Sequence, residues 1–303
     1  MVLMPSTPST THPIHPDTHI GHVHYIVGDL ERQIAFYRDI LGFKIHWHKG
    51  NAAGLGAGDD DLLRLTQLSG ARIVRGTTGL YHTAFLVPTK WDLAHLLRRI
   101  IQTQTPVHGF SNHGTHLAIY LPDAEENGIE LAWDFPKDVW PQSFGDMLRR
   151  REFDLHDLLA EIEKSPMRWD GIRTGTQIGH VHLHVANIEA GDDFYRGVLG
   201  FDYPYKQLPP PQYARQMRFF SAGDYHHHIG TNIWQGENAP QPPADATGLR
   251  YYTIVSPNAD EHSRLVSQVH QHGIASEMTL DGLLIRDPSG NGIVLVSALA
   301  KNS

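Results

Sequence analysis

The sequence repeats itself at a fixed distance, and that repeat constrains the fold more than any other feature. Ile20-Gly-His-Val-His24 returns as Ile178-Gly-His-Val-His182. The first copy continues to Phe36-Tyr37 and Leu41-Gly42-Phe43, the second to Phe194-Tyr195 and Leu199-Gly200-Phe201, always 158 residues apart and without a gap. A period this long is a whole folding unit rather than one turn of a solenoid. The chain is therefore expected to hold two related halves, 18–136 and 177–303. Between them lies a connector, 137–176, and before them a tail, 1–17, read as flexible or as a strap over the first domain.

Each half divides again. Residues 22–27 alternate in strand fashion, so that His22, His24 and Ile26 share a face. Asp29 stands where a helix N-cap belongs, and Ile34, Tyr37, Ile40 and Leu41 follow at helical spacing. Gly42 suits the helix end. A further strand is expected at 61–68. A second strand–helix unit opens at Gly79, with a helix over 90–103 and strands near 115–121 and 128–133. Its C-terminal counterpart opens at Gly248, with a helix over 259–273 and strands near 283–286 and 292–297. The pattern predicts an α+β protein of four strand–helix–strand units. The connector predicts one amphipathic helix carrying Leu155, Leu158, Leu159 and Ile162, and the prolines of 207–212 predict a loop.

Composition narrows the function. With 303 residues, 40% hydrophobic and 19% charged, the chain reads as globular with room for two cores. A net charge of −8 and no basic run argue against nucleic acid or anionic membrane as partners. No apolar stretch approaches the roughly 18–20 residues of a membrane span, and the N-terminus lacks the apolar core of a secretory signal. The absence of cysteine removes disulfides, thiolate metal sites and cysteine nucleophiles, and fits a cytoplasmic protein. Self-association into a homo-oligomer is left open.

The 22 histidines point to chemistry only where several can converge with a carboxylate. Two histidines and one carboxylate, with coordination positions left open, suit Fe(II) that activates oxygen. The N-terminal half offers His22 on the first strand of its first unit, His82 on the first strand of its second, and Glu130 on the last strand. These residues resemble those of the vicinal oxygen chelate superfamily (glyoxalase, bleomycin resistance, extradiol dioxygenase), and most closely its type I extradiol catechol 2,3-dioxygenases. The resemblance spans nearly all of the chain outside the tail and connector. It implies four βαβββ modules paired into two open barrels, with His22, His82 and Glu130 as metal ligands. An extradiol-type signature also resembles His113-Gly-Thr-His116-Leu-Ala-Ile119-Tyr120-Leu-Pro-Asp123-Ala124-Glu-Glu126-Asn-Gly-Ile-Glu130. Ala124 and Glu126 replace the usual Pro and Gly of its turn and leave the Glu in place. His113 and Tyr120 are then the implied catalytic residues, with His116 competing with His113 for the same task.

Comparing the halves assigns roles. The counterparts of His22, His82 and Glu130 are His180, Tyr251 and Val294, and Leu284 stands for Tyr120. The C-terminal half is thus expected to lack a full ligand set and to serve as a structural buttress. His24 is read as packing because His182 repeats it, and His226-His227-His228 as packing because they belong to that depleted half. The strand 61–68 carries no histidine, whereas extradiol enzymes often keep an acid/base histidine there. The resemblance implies an Fe(II)-dependent ring-cleaving dioxygenase, with Mn²⁺ or Zn²⁺ as alternative metals and a small aromatic diol and O₂ as partners. A histidine or tyrosine would move the catechol proton, and the product would be a hydroxymuconic semialdehyde. The alternatives are another metal-dependent enzyme of the superfamily (glyoxalase, isomerase or transferase type) or a metal-free small-molecule binding or resistance protein.

Overall fold

In all four units the chain leaves its opening strand and enters a helix at a polar cap. Asp29, Thr89, Asn187 and Asn258 each accept a hydrogen bond from the backbone N–H three residues on, which satisfies one of the donors a helix start leaves free. The computed structural model describes residues 12–298. Four opening strands result: His19–Val27, Gly79–Leu86, Gln177–His184 and Gly248–Ser256. The long helices Lys90–Gln102 and Ala259–Gln271 belong to the second and fourth units. In the first and third, a short α-helix runs into a π-helical turn, Phe36–Ile40 and Asp193–Val198. Those turns bury Tyr37 and Tyr195 completely. Their hydroxyls donate to Asp123 at 3.1 Å and to Asp287 at 2.9 Å, in the neighbouring unit of the same half.

Both aspartates also cap their own turns, accepting from the backbone N–H two and four residues on. Gly290 takes a positive φ of 87° in the second turn, and Glu126 takes 67° in the first. The expected departure from the Asp-Pro-x-Gly pattern therefore leaves the turn geometry unchanged and puts a side chain where glycine would be unstrained.

The units do not pair within their own halves. The first opening strand runs antiparallel to the fourth, with His24 opposite Tyr251, and the second runs antiparallel to the third, with His82 opposite His182. Later strands of each unit extend these pairs into two component sheets of one 15-stranded sheet. One sheet is built from units two and three, the other from units one and four, and the bridge Ile20–Ile178 joins them. The expected boundaries 18–136 and 177–303 follow the repeat along the sequence, whereas the opening strands pair across the two halves. The crossing has a steric signature in the repeated Ile-Gly-His. A Cβ on Gly21 would lie 2.5 Å from Thr253 Oγ1 and 2.7 Å from Val255 Cγ2, on the crosswise partner strand. A Cβ on Gly179 would lie 3.2 Å from Leu86 Cβ, on its own crosswise partner.

Three smaller expectations are revised. Residues 1–11 of the tail lie outside the described residues. Residues 12–17 strap the C-terminal half rather than the first domain: Ile14 is buried and donates to the Gly200 carbonyl at 2.8 Å, and His15 donates to Glu261 at 3.0 Å. The proline segment includes the start of a short helix, Pro211–Ala214, because proline is tolerated in a first helical turn. The connector's helix, Leu155–Ala160, continues as a 3-10 turn to Lys164, and a further turn of helix spans Phe144–Met147. Among the described residues, no helix is long and apolar enough to cross a membrane.

Candidate metal centre

Three adjacent strands bring the convergent side chains together. Ala84, in the second opening strand, pairs with His180 on one side and with Glu130, in the strand Gly128–Asp134, on the other. Residues directly opposite in a sheet point to the same face, so His180, Ala84 and Glu130 form a row. His82 lies two residues from Ala84 and shares that face. The small side chain of Ala84 leaves space between the larger ones.

The result is a nearly equilateral triangle. His82 Nε2 and His180 Nε2 are 3.1 Å apart, and they lie 3.1 Å and 3.2 Å from Glu130 Oε2. All three residues are buried, Glu130 to 1% exposure. Two imidazole nitrogens at 3.1 Å can hold one proton between them at most, which suits a shared cation better than mutual hydrogen bonds. Cis ligands about 2.1–2.2 Å from an ion would stand about 3.0–3.1 Å apart, so the triangle has the dimensions of a two-histidine, one-carboxylate face. His116 Nε2 supports the other carboxylate oxygen at 2.9 Å.

The protonation states fit the same use. Burial alone would raise the Glu130 carboxyl, but the charge and hydrogen bonds of His180, His116 and His82 outweigh it and hold the group well below the usual carboxylate range. Burial lowers His180, against the pull of Glu130. An ionised glutamate beside an imidazole whose charged form is disfavoured, as at His180, suits metal binding.

His22 does not belong to this cluster, contrary to the set His22, His82 and Glu130 expected from sequence. It sits in the other sheet, its backbone N–H donating to Thr253 Oγ1 at 2.7 Å and its ring edge-on to Tyr251 at 5.8 Å. Burial and the nearby Arg64 depress it to about 3. Arg64 bridges Asp61 at 2.9 Å and Asp281 at 2.5 Å, and Asp281 also accepts from Tyr251. Arg64 engages both nearby carboxylates in ion pairs, and Val294 supplies no carboxylate in the place of Glu130. The physical reason for the exchange is the crosswise pairing, which carries His22 away and brings in its repeat, His180. The depleted site is thus that of the first and fourth units, not that of the C-terminal half. His24 is a packing residue in the same sheet, bonded to Thr66 at 2.8 Å.

The remaining candidates border one cavity of about 450 Å³. His113 Nε2 and the Tyr120 hydroxyl are 2.9 Å apart. Burial and the neighbouring His116 depress His113 to about 3, and burial and Glu130 push Tyr120 well above the usual phenol range. His116 stacks on His226, and with Asp134 these form a second convergence beside the first. His227 lines the cavity with its ring 4.1 Å from that of His180. Burial holds it well below the ordinary histidine range. His226 ties it to Asp134 through contacts of 2.9 Å and 3.2 Å. Sequence reasoning overlooked both His180 and His227. The signals were the repeated Gly-His and the triple-histidine run, each set aside because the halves were taken as separate sites.

Comparison with known proteins identifies the family of the chain. The family profile for the Glyoxalase/Bleomycin resistance protein/Dioxygenase superfamily matches residues 19–131 and 177–295. The chain is 36% identical over 290 residues to catechol-2,3-dioxygenase of Bacillus subtilis, covering 93% of this chain and 99% of that protein. The fold is similar to that of a provisionally assigned dioxygenase of Bacillus subtilis, with a TM-score of 0.64 at 14% identity over 94% of this chain and 86% of that one. It is also similar to glyoxalase I of Zea mays, with a TM-score of 0.58 at 16% identity over 93% and 92%.

Proposed function

The chain belongs to the glyoxalase/bleomycin resistance protein/dioxygenase superfamily, and from that membership we propose that it is a cytoplasmic, Fe(II)-dependent extradiol dioxygenase cleaving a catechol-type ring with O₂. The observation that carries the reading is the buried triangle of His82, His180 and Glu130 on the wall of a cavity that also holds a His–Tyr pair. His82, His180 and Glu130 would hold the iron, which supplies the electron path between the diol and O₂.

The chain's own residues handle the proton and the ring. His227 and His113 are neutral at pH 7 because burial disfavours their charged forms, so either can accept a catechol proton. His227 stands in the place left vacant in 61–68, because the cavity takes its third-unit strand rather than the first-unit one. Tyr120 keeps its proton and can donate a hydrogen bond to oxygen on the reacting ring. Phe110, Phe219 and Trp234 on the same cavity lining give a flat apolar ring its contacts and exclude water. Both atoms of O₂ enter the product, so ring opening next to the diol conserves all substrate atoms.

The test is anaerobic loading with Fe(II), Mn²⁺ or Zn²⁺ in turn, followed by catechol and O₂. The expected result is O₂ uptake in step with a yellow ring-opened product, with Fe(II) only or Fe(II) best. Tight zinc binding without O₂ uptake under any loading would overturn the reading in favour of a Lewis-acid enzyme of the superfamily.

A further inference from the structure

Ring cleavage makes no use of one feature of the cavity. Three consecutive arginines from the connector, Arg149, Arg150 and Arg151, stand on its lining, where Glu130 is the sole carboxylate among the described residues. In a chain of net charge −8 this is a local reversal of sign. Arg149 is tied to Asp146 at 3.0 Å. Arg151 is held by neutral groups: its Nη1 lies 3.1 Å from the Arg149 carbonyl and 3.5 Å from that of His113, and its guanidinium lies against Gly114. Among the described residues, neither Arg150 nor Arg151 forms an ion pair with a carboxylate.

Burial orders the cavity from floor to rim. His82, Glu130 and His180 are buried at its floor, whereas Arg149 and Arg150 are exposed and Arg151 half-buried at its mouth. The charges on the floor are already matched, since a divalent ion balances Glu130 together with a singly ionised diol. The two unpaired guanidiniums are surplus to that balance. Arginine forks match carboxylate geometry, and a ring bound by its diol at the floor would point its far substituent towards the rim.

Resting on the dioxygenase reading, we propose that this cavity selects an aromatic diol bearing a carboxylate substituent, with Arg150 and Arg151 as the specificity-determining residues. Two rim-exposed charge pairs give a preference of about 10-fold over the neutral analogue.

Two readouts on the full chain test this. With Fe(II) loaded, kcat/KM is compared for 3,4-dihydroxyphenylacetate and 4-methylcatechol. Without added metal, binding of the unreactive pair 4-hydroxyphenylacetate and 4-methylphenol is followed by tryptophan fluorescence, which Trp234 on the lining reports. Wild type is expected to favour the anion about 10-fold in both. Arg150→Gln should reduce the ratio, Arg150→Gln/Arg151→Gln should bring it close to one, and the charge-matched Lys49→Gln should leave it unchanged. Equal treatment of anion and neutral analogue by wild type, or full preference in the double variant, overturns the proposal even if catechols are cleaved. If no catechol is cleaved but the binding preference appears and vanishes as described, ring cleavage fails and the anion subsite stands.

Discussion

Exchanging His180 for His22 in the candidate centre makes a prediction with opposite signs at two positions. His180→Gln keeps most of the side-chain bulk and an N–H for Glu130 Oε2, now 3.2 Å away, but removes one of the three proposed ligands. Losing even an outer partner of a metal ligand costs 10–100-fold in affinity. Removing the ligand itself should therefore weaken binding by at least about 100-fold, or about 2.7 kcal/mol. It also removes the group that contributes most to holding Glu130 ionised, so the residual affinity should fall further as pH drops. His22→Gln touches a side chain whose neighbours are Tyr251 and Arg64, and should change the metal dissociation constant by less than about 2-fold. The assay is anaerobic titration of metal-free protein with Co(II), read from its visible absorption and calibrated by chelator competition, with thermal unfolding as a check on the fold. Retention of metal by His180→Gln together with its loss in His22→Gln would refute the crosswise site and restore the one within the N-terminal half.

Other consequences follow from burial and close packing. Burial is the first cause that depresses His22 to about 3, His24 to about 4 and His228 to about 3, against about 6.5 in the unfolded chain. The stability they contribute is fully present above pH 6.5 and is lost as pH falls through about 4 for His24 and to about 3 for His22 and His228, because unfolding then takes up protons. Urea unfolding at pH 7, 6 and 5 should show a loss on the order of 1 kcal/mol per pH unit for each group, and His24→Gln should flatten the slope. Gly21→Ala forces a methyl to within 2.5 Å of Thr253 Oγ1 and should cost about 1–3 kcal/mol in denaturant midpoint, whereas an unchanged midpoint would dismiss the close crossing. His227→Gln should lower kcat with catechol on the order of 100-fold at unchanged metal stoichiometry, and an unchanged kcat would remove it as the proton acceptor.

Much of the architecture was legible because it is local. Asp29, Thr89, Asn187 and Asn258 cap their helices through hydrogen bonds that reach three residues. His82 and Glu130 were named through the family resemblance, and the structure sets them on one face because their strands lie within one unit and pair in register through Thr83–Leu86 and Ile129–Ala132. His113 and Tyr120 lie on and beside one hairpin arm, seven residues apart, and the structure brings them together. The third member of the triangle depended on which unit supplies the neighbouring strand, and no local signal carries that information.

By itself, the sequence determined four units with their opening strands and main helices, which follow from interactions within one unit. The resemblance to a known family supplied two of the three side chains in the triangle, His82 and Glu130. Only the tertiary structure decided that units two and three share a sheet, and so that His180 joins the centre while His22 faces Tyr251 and Arg64. The repeat is the reason. Ile20-Gly-His and Ile178-Gly-His present nearly the same edge, the same glycine and the same histidine, so either pairing satisfies the same local rules. The choice lies in long-range contacts such as Gly21 against Thr253 and Gly179 against Leu86, which link residues far apart in the chain.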